Sequence, residues 1–427
     1  MTTPTQDLSR DHQRLNRLSL ILAGFCLLLP VLGLLAPKAV VPLSLVAGLA
    51  AAAVVWALAR PWQLMDRSIT LAVGLFFGWC LIASLWTPLP QDAAVLALRV
   101  GVLLLIIVFL CGAAGLMDAA QRRRAGLGLA AGLVLAVTLV LIEFIFGFPI
   151  YTALKGPPAN DYAAYSRLNR GITTLAILVW PLAALCWHLR FRTIAFAVPP
   201  AALALALSSQ SSAAVLGLFV GLIAAALAGL GRTAGRLILA AAIVLPLLAG
   251  PGVAKLMKEA GLHEATSLSH TARYRVHTWD FVADKIVERP LFGWGFDSSA
   301  SIPAADAEPF GRGRKTIPSH PHNGPLQVLL ELGAVGAVLT IAVLFFIARR
   351  IDGLPPAARV CSQGMFITIL CIASTAYGLW QSHWLAVIGG AAVVSVAVLP
   401  RATGDSLQRK AAAGSPQPQP SAAQRDR

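Results

Sequence analysis

The chain has 427 residues, of which 57% are hydrophobic and only 12% are charged, a composition that excludes a water-soluble globular protein. The net charge of +15 could by itself indicate a nucleic-acid partner. The basic residues stand at the ends of apolar runs, however, as the positive-inside rule describes for membrane proteins. We therefore expect membrane lipids, and no nucleic acid, around this chain.

Apolar runs long enough to cross a bilayer as helices recur along most of the chain. Twelve such runs lie near residues 18–35, 40–59, 69–87, 93–114, 125–147, 171–189, 193–209, 212–230, 235–250, 323–347, 359–379 and 382–399. The pattern predicts an all-α polytopic membrane protein with about twelve transmembrane helices. Six cysteines lie in or beside these runs without metal-ligand spacing, so no disulfide, metal or cofactor is expected.

The distribution of Lys and Arg predicts how these helices are oriented. Residues 1–17 would form a cytoplasmic N-terminus, residues 18–250 helices one to nine, residues 323–400 helices ten to twelve, and residues 401–427 a disordered cytoplasmic tail. Two segments that would face the periplasm are nevertheless basic: a loop near 147–170 and one large loop at 251–322. Long loops cross the membrane regardless of charge, so their positive charge needs another explanation.

The large loop contains one predicted helix, over residues 271–288, where apolar side chains recur at helical spacing. These side chains are Val276, Trp279, Ala283, Ile286 and Val287. We expect an amphipathic helix on the membrane surface or across the mouth of the bundle, with Ser269 or Thr271 as its N-cap. Residues 297–317 are expected to be mobile and to hold no metal.

Two imidazoles lie where the large loop meets the tenth predicted membrane helix, within Ser319–Gln327. Either His320 or His322 could take a proton from an attacking hydroxyl, since the ordinary pKa of imidazole is near neutral. A His at a loop end is more often a simple helix cap, and the sequence does not decide which of the two is the base. Asn323 and Glu331 would share one helix face, and the Glu331 carboxylate must face protein or water.

Two pairs of arginines stand in the outward basic segments. Arg167 and Arg170 precede the sixth predicted span, and Arg273 and Arg275 open the loop helix. Basic residues at helix ends often extend to lipid headgroups, and Arg275 could simply stack on Trp279, one turn away. Because guanidinium groups bind phosphate oxygens bidentately, we expect the four to converge on one diphosphate.

Two further residues have alternative interpretations. Arg99 lies inside the fourth predicted span, where a guanidinium is costly, so it either pairs with a buried acid such as Glu143 or Glu331, or touches substrate. His383 lies at another helix junction, where it either lines the same cavity or belongs to an aromatic belt.

Three groups of residues resemble the signature of the O-antigen ligase/polymerase superfamily. They are His322, Asn323, Gln327, Glu331, Gly333 and Gly336 after the large loop; Arg275 four residues before Trp279, followed by Pro290–Gly295; and Arg170 with Gly171 before a membrane helix. About twelve helices with the main loop before the tenth also match that family.

The resemblance implies a membrane enzyme with a glycosyltransferase C-like fold. It implies a donor glycan on undecaprenyl pyrophosphate and an acceptor sugar hydroxyl of lipid A-core, on the periplasmic side of the bacterial inner membrane. In family terms Arg170 and Arg275 would hold the pyrophosphate, and His322 would activate the acceptor hydroxyl or orient the leaving group. The transfer would invert the anomeric centre without a metal.

Several activities compete within and outside this family. A ligase moves a finished O-antigen to lipid A-core, whereas a polymerase extends the glycan on its lipid carrier. Polymerases often carry an Arg eleven residues before a Gly in each of two large loops, a spacing that neither loop has here. A transporter would fit twelve helices and buried charges, but no internal repeat is visible. A scaffold without chemistry leaves the outward arginines unexplained.

Overall fold

The computed structural model describes residues 4–302, 316–317 and 319–399, and these residues form α-helices and short 3-10 helices without a β-strand. The helices are α1 Pro4–Leu35, α2 Val40–Val55, α3 Pro61–Leu64, α4 Arg67–Ala83, α5 Pro90–Ala114, α6 Ala119–Ile145, α7 Pro149–Lys155, α8 Asp161–His188, α9 Arg192–Leu207, α10 Ser212–Gly229, α11 Arg232–Glu259, α12 His270–Glu288, α13 Gly324–Asp352, α14 Pro356–Ala373 and α15 Ser382–Val398. The predicted mobile segment and the predicted disordered tail lie, apart from residues 297–302 and 316–317, outside the described residues.

The prediction of an all-α polytopic membrane protein is confirmed. Each of the twelve predicted apolar runs falls on one helix. Among the described residues, 10 helices are long and apolar enough to cross a membrane, and α9 and α15 are shorter apolar helices. We call the end of the bundle that carries the segment between α11 and α13 and the turn between α14 and α15 the loop end.

Two helix boundaries differ from the sequence-based expectation. Helix α8 begins at Asp161, so Arg167 and Arg170 lie within its first turns and not in a loop before it. Helix α11 continues through Pro251 to Glu259, into the predicted large loop. Proline is tolerated inside membrane helices because neighbouring groups satisfy the backbone, and the apolar run alone does not report how far a helix extends beyond the bilayer.

Close backbone approach holds α1 against α6. A side chain at Gly128 or Gly132 of α6 would collide with the carbonyl oxygens of Ala23 or Leu27 on α1, at 2.4 and 2.3 Å from the position of a Cβ atom. Small residues allow such packing in membranes, where the lipid is as apolar as the helix surface and van der Waals contact drives association. This packing positions the C-terminal end of α1 beside α8 at the loop end, where Gly171 of α8 meets Leu34 of α1.

The predicted loop helix is α12, and the Ser269 hydroxyl caps it by accepting a hydrogen bond from the amide of Ala272 at 3.2 Å. Its apolar face packs on α11 and α13, although Val287, assigned to that face from its spacing, is exposed. Lys255 and Lys258 of α11 form ion pairs with Asp280 of α12 at 2.8 and 2.5 Å. Helix α12 is therefore fixed to the bundle and is not a detached surface helix.

Helix α13 is broken at Gly333, which has φ +64° and ψ −161°. The segment Pro290–Gly295 lies in the break and bonds to the backbone on both sides of it. The amides of Trp294 and Gly295 donate to the carbonyls of Leu330 and Glu331 at 2.8 and 3.0 Å, and the amide of Ala334 donates to the carbonyl of Pro290 at 2.9 Å. Irregular backbone at membrane depth survives only where protein satisfies its polar groups, and Pro290–Gly295 supplies those partners here.

Candidate active site

His322 lies directly before α13, where the side chain of Asn323 caps the helix by accepting from the amide of Leu326 at 3.1 Å. His322 has φ +56°, a left-handed conformation that is costly for a non-glycine residue and that is concentrated at functional sites. Its Nδ1 lies 2.5 Å from the carbonyl oxygen of Ala376. Since a carbonyl only accepts, Nδ1 carries the proton, and Nε2 of the neutral ring keeps a lone pair that can accept another.

The environment keeps both imidazoles neutral near pH 7. Burial lowers the pKa of His322, the bond to the Ala376 carbonyl partly opposes this, and the Arg275 guanidinium lowers the pKa further. Burial, His322 and Arg275 together lower the pKa of His320 to about 4. The two rings lie 4.2 Å apart, and Nδ1 of His320 contacts the Ser319 hydroxyl at 2.7 Å. Of the two, His322 has its ring oriented by a backbone carbonyl, which suits a general base.

Helix α12 brings Arg275 and Trp279 to these imidazoles. The indole Nε1 of Trp279 donates to the carbonyl of Pro321 at 2.8 Å, which ties α12 to the residues that precede His322. Arg275 is half-buried one turn earlier, close enough for its charge to act on both imidazoles. Arg273 is also half-buried, but two residues along a helix turn its side chain by about 200°. The two side chains therefore leave the helix on different sides, and convergence of both guanidiniums on one diphosphate stays a prediction.

The turn formed by residues 374–381, between α14 and α15, joins the imidazoles to the other arginine group. Ala376 holds His322, as described above, and the next residue, Tyr377, places its hydroxyl 2.7 Å from Oγ1 of Thr173 in α8. The Thr173 hydroxyl in turn lies 2.8 Å from the carbonyl oxygen of Arg170, whose side chain is exposed. Burial raises the pKa of Tyr377, whereas the Thr173 hydroxyl and the nearby charge of Arg170 lower it. His322, Arg275 and Arg170 thus lie around one turn at the loop end.

Arg167 differs from Arg170 in what its guanidinium contacts. Nη1 of Arg167 donates to the carbonyl of Gly156 at 2.7 Å, and Nη2 lies 3.4 Å from the carbonyl of Pro157. These bonds fasten the segment between α7 and α8 to α8. Because the fork of Arg167 already contacts backbone carbonyls, Arg170 is the member of this pair with a side chain open to a ligand.

Glu331 is fully buried on α13, so of the two environments expected for its carboxylate, protein or water, the structure shows protein. Its Oε1 accepts from the amide of Gln327 at 3.0 Å and from the hydroxyl of Ser299. Its Oε2 accepts from the backbone amide of Asp297 at 2.7 Å and from the indole of Trp380 at 2.6 Å. Four donors from three parts of the chain make Glu331 a structural junction and not a group exposed to substrate.

Gln327 connects Glu331 to the candidate active site. Its carbonyl oxygen Oε1 accepts from the backbone amide of Leu379 at 2.9 Å, in the same 374–381 turn that contacts His322. The predicted face that Gln327 and Glu331 share therefore supports this turn. Glu331 is a positioning residue for His322 rather than a partner in the chemistry.

Arg99 is exposed and forms no ion pair with Glu331 or Glu143 within the described parts of the chain. Glu143 instead accepts from the backbone amides of Ile150 and Tyr151 at 2.9 and 3.1 Å, which anchors α7. The pairing of Arg99 with a buried acid, which the sequence left open, is not found. Contact between Arg99 and a substrate stays a prediction.

Two parts of the site were missed by reasoning from the sequence. The 374–381 turn holds both His322 and the Arg170 side, although Tyr377 carries no charge and follows no motif. The break at Gly333 was also missed, because a helix-spanning apolar run contains it. A glycine beside a buried carboxylate in the middle of a membrane run was the available signal for an irregular backbone.

Parts of this chain are similar to known proteins. The model of the O-antigen ligase family matches residues 196–341, a range that contains Arg275, His322 and Glu331 but not Arg170. A protein of Rickettsia prowazekii (strain Madrid E) named "Putative polysaccharide ligase" is 29% identical over 316 residues, which cover 73% of this chain and 76% of that protein. Proteins with similar names from Rickettsia typhi and Rickettsia felis are 28% and 27% identical over 316 residues, covering 73% of this chain and 76% of each of them.

The family match coincides with the part of the chain that holds the loop helix, the imidazoles and the broken helix, and the relatives extend the similarity to most of the chain. The expected similarity to the O-antigen ligase superfamily is thus confirmed: its family model matches residues 196–341, and proteins named polysaccharide ligases match 73% of the chain.

Proposed function

We propose that the protein is an O-antigen ligase of lipopolysaccharide biosynthesis. It transfers a glycan from undecaprenyl pyrophosphate to a sugar hydroxyl of lipid A-core. The observation that carries the proposal is the 374–381 turn, in which consecutive residues contact His322 and the Arg170 side of the site. A proton acceptor and two guanidiniums around one turn suit a reaction in which a hydroxyl attacks and a pyrophosphate leaves.

In the proposed reaction Nε2 of His322 takes the proton of the acceptor hydroxyl as its oxygen attacks the anomeric carbon. The new glycosidic bond forms on the face opposite the leaving group, so the anomeric configuration inverts. The bond between the anomeric carbon and the pyrophosphate oxygen breaks, and its electron pair remains on the pyrophosphate. Arg170 and Arg275 stabilise the negative charge that develops there. The proton then passes from the imidazole to solvent.

The proposal also places the protein in the cell. The excess of Lys and Arg in the short loops away from the loop end favours a bacterial inner membrane protein with both termini in the cytoplasm. The site at the loop end would then face the periplasm, and the helical architecture is of the glycosyltransferase C-like kind. No metal is required, since positive side chains supply the charge that a cation would otherwise provide; transfer is therefore expected to persist in EDTA.

The decisive experiment is lipopolysaccharide analysis of cells that carry His322→Ala or His322→Gln in place of the wild-type chain. We expect the O-antigen ladder to disappear while lipid-linked glycan of full length accumulates. Purified protein with lipid-linked glycan and rough-type lipopolysaccharide should show the same loss in vitro. Products with a single repeat would point to a polymerase, and an unchanged ladder would favour a transporter or a scaffold.

A further inference from the structure

The loop end holds a second group of cations that no sequence motif singled out. Lys155 ends α7, and its ammonium lies on the ring of Tyr151, which bonds to Leu34. Leu34 also packs against Gly171, the neighbour of Arg170, so Lys155 and Arg170 lie in the same part of the loop end. Lys38 lies in the short helix Pro37–Ala39, and it and Arg170 are both close enough to act electrostatically on His383. We call Lys38, Lys155 and Arg170, which are all exposed, the α8 cation group.

Lys155 is held in place by buried contacts and is not a loose surface side chain. Its ammonium lies 4.6 Å from the ring centroid of Tyr151, a cation–π contact. The ring of Tyr151 is fully buried, and its hydroxyl donates to the carbonyl of Leu34 at 2.5 Å. Glu143 accepts from the Tyr151 amide at 3.1 Å. The cation–π contact therefore keeps the ammonium at the Tyr151 ring, in the same region as Arg170.

Like charges held close together repel unless an anion lies among them. Within the described residues no carboxylate forms an ion pair with a member of the α8 cation group. Other lysines near the loop end are treated differently, since Lys255 and Lys258 both pair with Asp280. The α8 cation group is thus open to an anionic ligand.

The reaction geometry decides which anion belongs there. In an inverting displacement the base and the leaving group stand on opposite faces of the anomeric carbon. His322 contacts the 374–381 turn at Ala376, and the next residue, Tyr377, leads away from it to the α8 cation group. Beside Tyr377, the ring of His383 lies 6.2 Å away, with its Nε2 buried and without a hydrogen-bond partner among the described residues. The leaving diphosphate fits beside the α8 cation group.

We propose that Lys155 and Lys38 bind the diphosphate of the lipid donor together with Arg170, and that they make the site select a lipid diphosphate over a lipid monophosphate. The proposal rests on the proposed function. A diphosphate has a second phosphate with further acceptor oxygens and more negative charge than a monophosphate. Two ammonium groups beyond the Arg170 fork can engage that second phosphate, whereas a monophosphate is satisfied by the guanidinium alone.

The test is equilibrium binding of undecaprenyl diphosphate and undecaprenyl phosphate to the full-length protein in detergent. Wild-type protein should bind the diphosphate more tightly. Lys155→Gln and Lys38→Gln should each weaken diphosphate binding about tenfold and monophosphate binding much less, as expected for the loss of one charged hydrogen bond. Lys155→Arg, which keeps the charge, should stay close to wild type. Lys258→Gln is the matched control, because its loss leaves Asp280 paired with Lys255.

Binding separates this inference from the proposed function. Diphosphate affinity unchanged in Lys155→Gln or Lys38→Gln overturns the assignment of that lysine, and equal loss of both lipids overturns the selectivity. Gel-filtration profiles that match wild type show that the variants are folded. Lys155→Arg keeps the positive charge at this position, so it separates the effect of the charge from the effect of changing the side chain. A wild-type protein that binds the diphosphate selectively but transfers no glycan would reject the ligase function and leave this site standing.

Discussion

The arginines at the far end of the bundle and the α8 cation group at the loop end differ in the partners that the protein gives them. At the end away from the loops, Arg232 and Arg236 both pair with Asp352, at 3.1 and 2.8 Å, and Arg350 pairs with Asp66. Arg122 is buried there. At the loop end, Arg170 is exposed beside Lys155, and neither forms an ion pair with a carboxylate within the described residues.

Arg122 shows how completely the far end satisfies a guanidinium. Its nitrogens donate to backbone carbonyls at the ends of α5 and α15, including that of Leu399 at 2.8 Å and that of Ala114 at 3.3 Å. Such a residue holds helix ends together and has no donor left for a ligand. A charged side chain at a membrane surface is therefore not by itself evidence of a binding site. An arginine becomes a candidate for ligand binding where no carboxylate or carbonyl of the protein occupies its guanidinium.

The largest expected effect comes from removing the loop-end guanidiniums. Arg170→Ala and Arg275→Ala should each lower kcat/KM for glycan transfer by about 10²–10³, since charge fixed beside a developing anion is a major source of rate acceleration. Transfer from lipid-linked glycan to rough-type lipopolysaccharide, measured with purified protein, checks this. Wild-type rates in either variant would remove that arginine from the site.

Loss of the Glu331 junction should act on stability first. Glu331→Ala leaves the buried donors of Ser299, Gln327 and Trp380, and the backbone amide of Asp297, without their acceptor, so unfolding in detergent should become easier by about 3 kcal/mol. Ser299→Ala removes one donor and should cost much less. Equal denaturation midpoints for Glu331→Ala and wild type would contradict the junction.

The pH dependence tests the environment of His322. The base must be neutral to accept a proton, so kcat/KM should fall as pH drops through its pKa. Burial and Arg275 lower the pKa of His322 below the ordinary value of an imidazole, which is about 6.5. The acidic limb of the pH profile should therefore lie below pH 6.5. Removing the positive charge with Arg275→Gln should move the limb of the residual activity to higher pH, and Arg275→Lys should not. An acidic limb at the same pH in Arg275→Gln as in wild type would show that the charge of Arg275 does not act on His322.

The smallest effect is expected at the far end of the bundle. Asp352→Asn weakens the pairing of Arg232 and Arg236 in a partly solvated network, where single ion pairs contribute little. Transfer should stay within about twofold of wild type. A loss as large as that of Arg170→Ala would show that the two ends are not functionally distinct.

The sequence predicted the local features of the site well. Ser269 caps α12, Trp279 and Arg275 stand one turn apart, and Asn323 opens α13, all at the expected positions. Arg167 was grouped with Arg170 because both are basic and adjacent, yet its fork contacts the carbonyl of Gly156. Nothing in a list of side chains reports where a backbone carbonyl elsewhere in the fold will lie.

What the sequence alone determined is the set of membrane helices, the loop helix and the position of two candidate imidazoles directly before α13. Hydrophobic runs, helix caps and charges at helix ends depend on residues only a few positions apart, so they can be recognised in the sequence without the tertiary structure. The tertiary structure decided the rest: Tyr377 meets Thr173, and Ala376 meets His322, across 204 and 54 residues of chain. Such contacts form only when packed helices bring distant segments together, which is why the turn that unites the site carries no signature of its own.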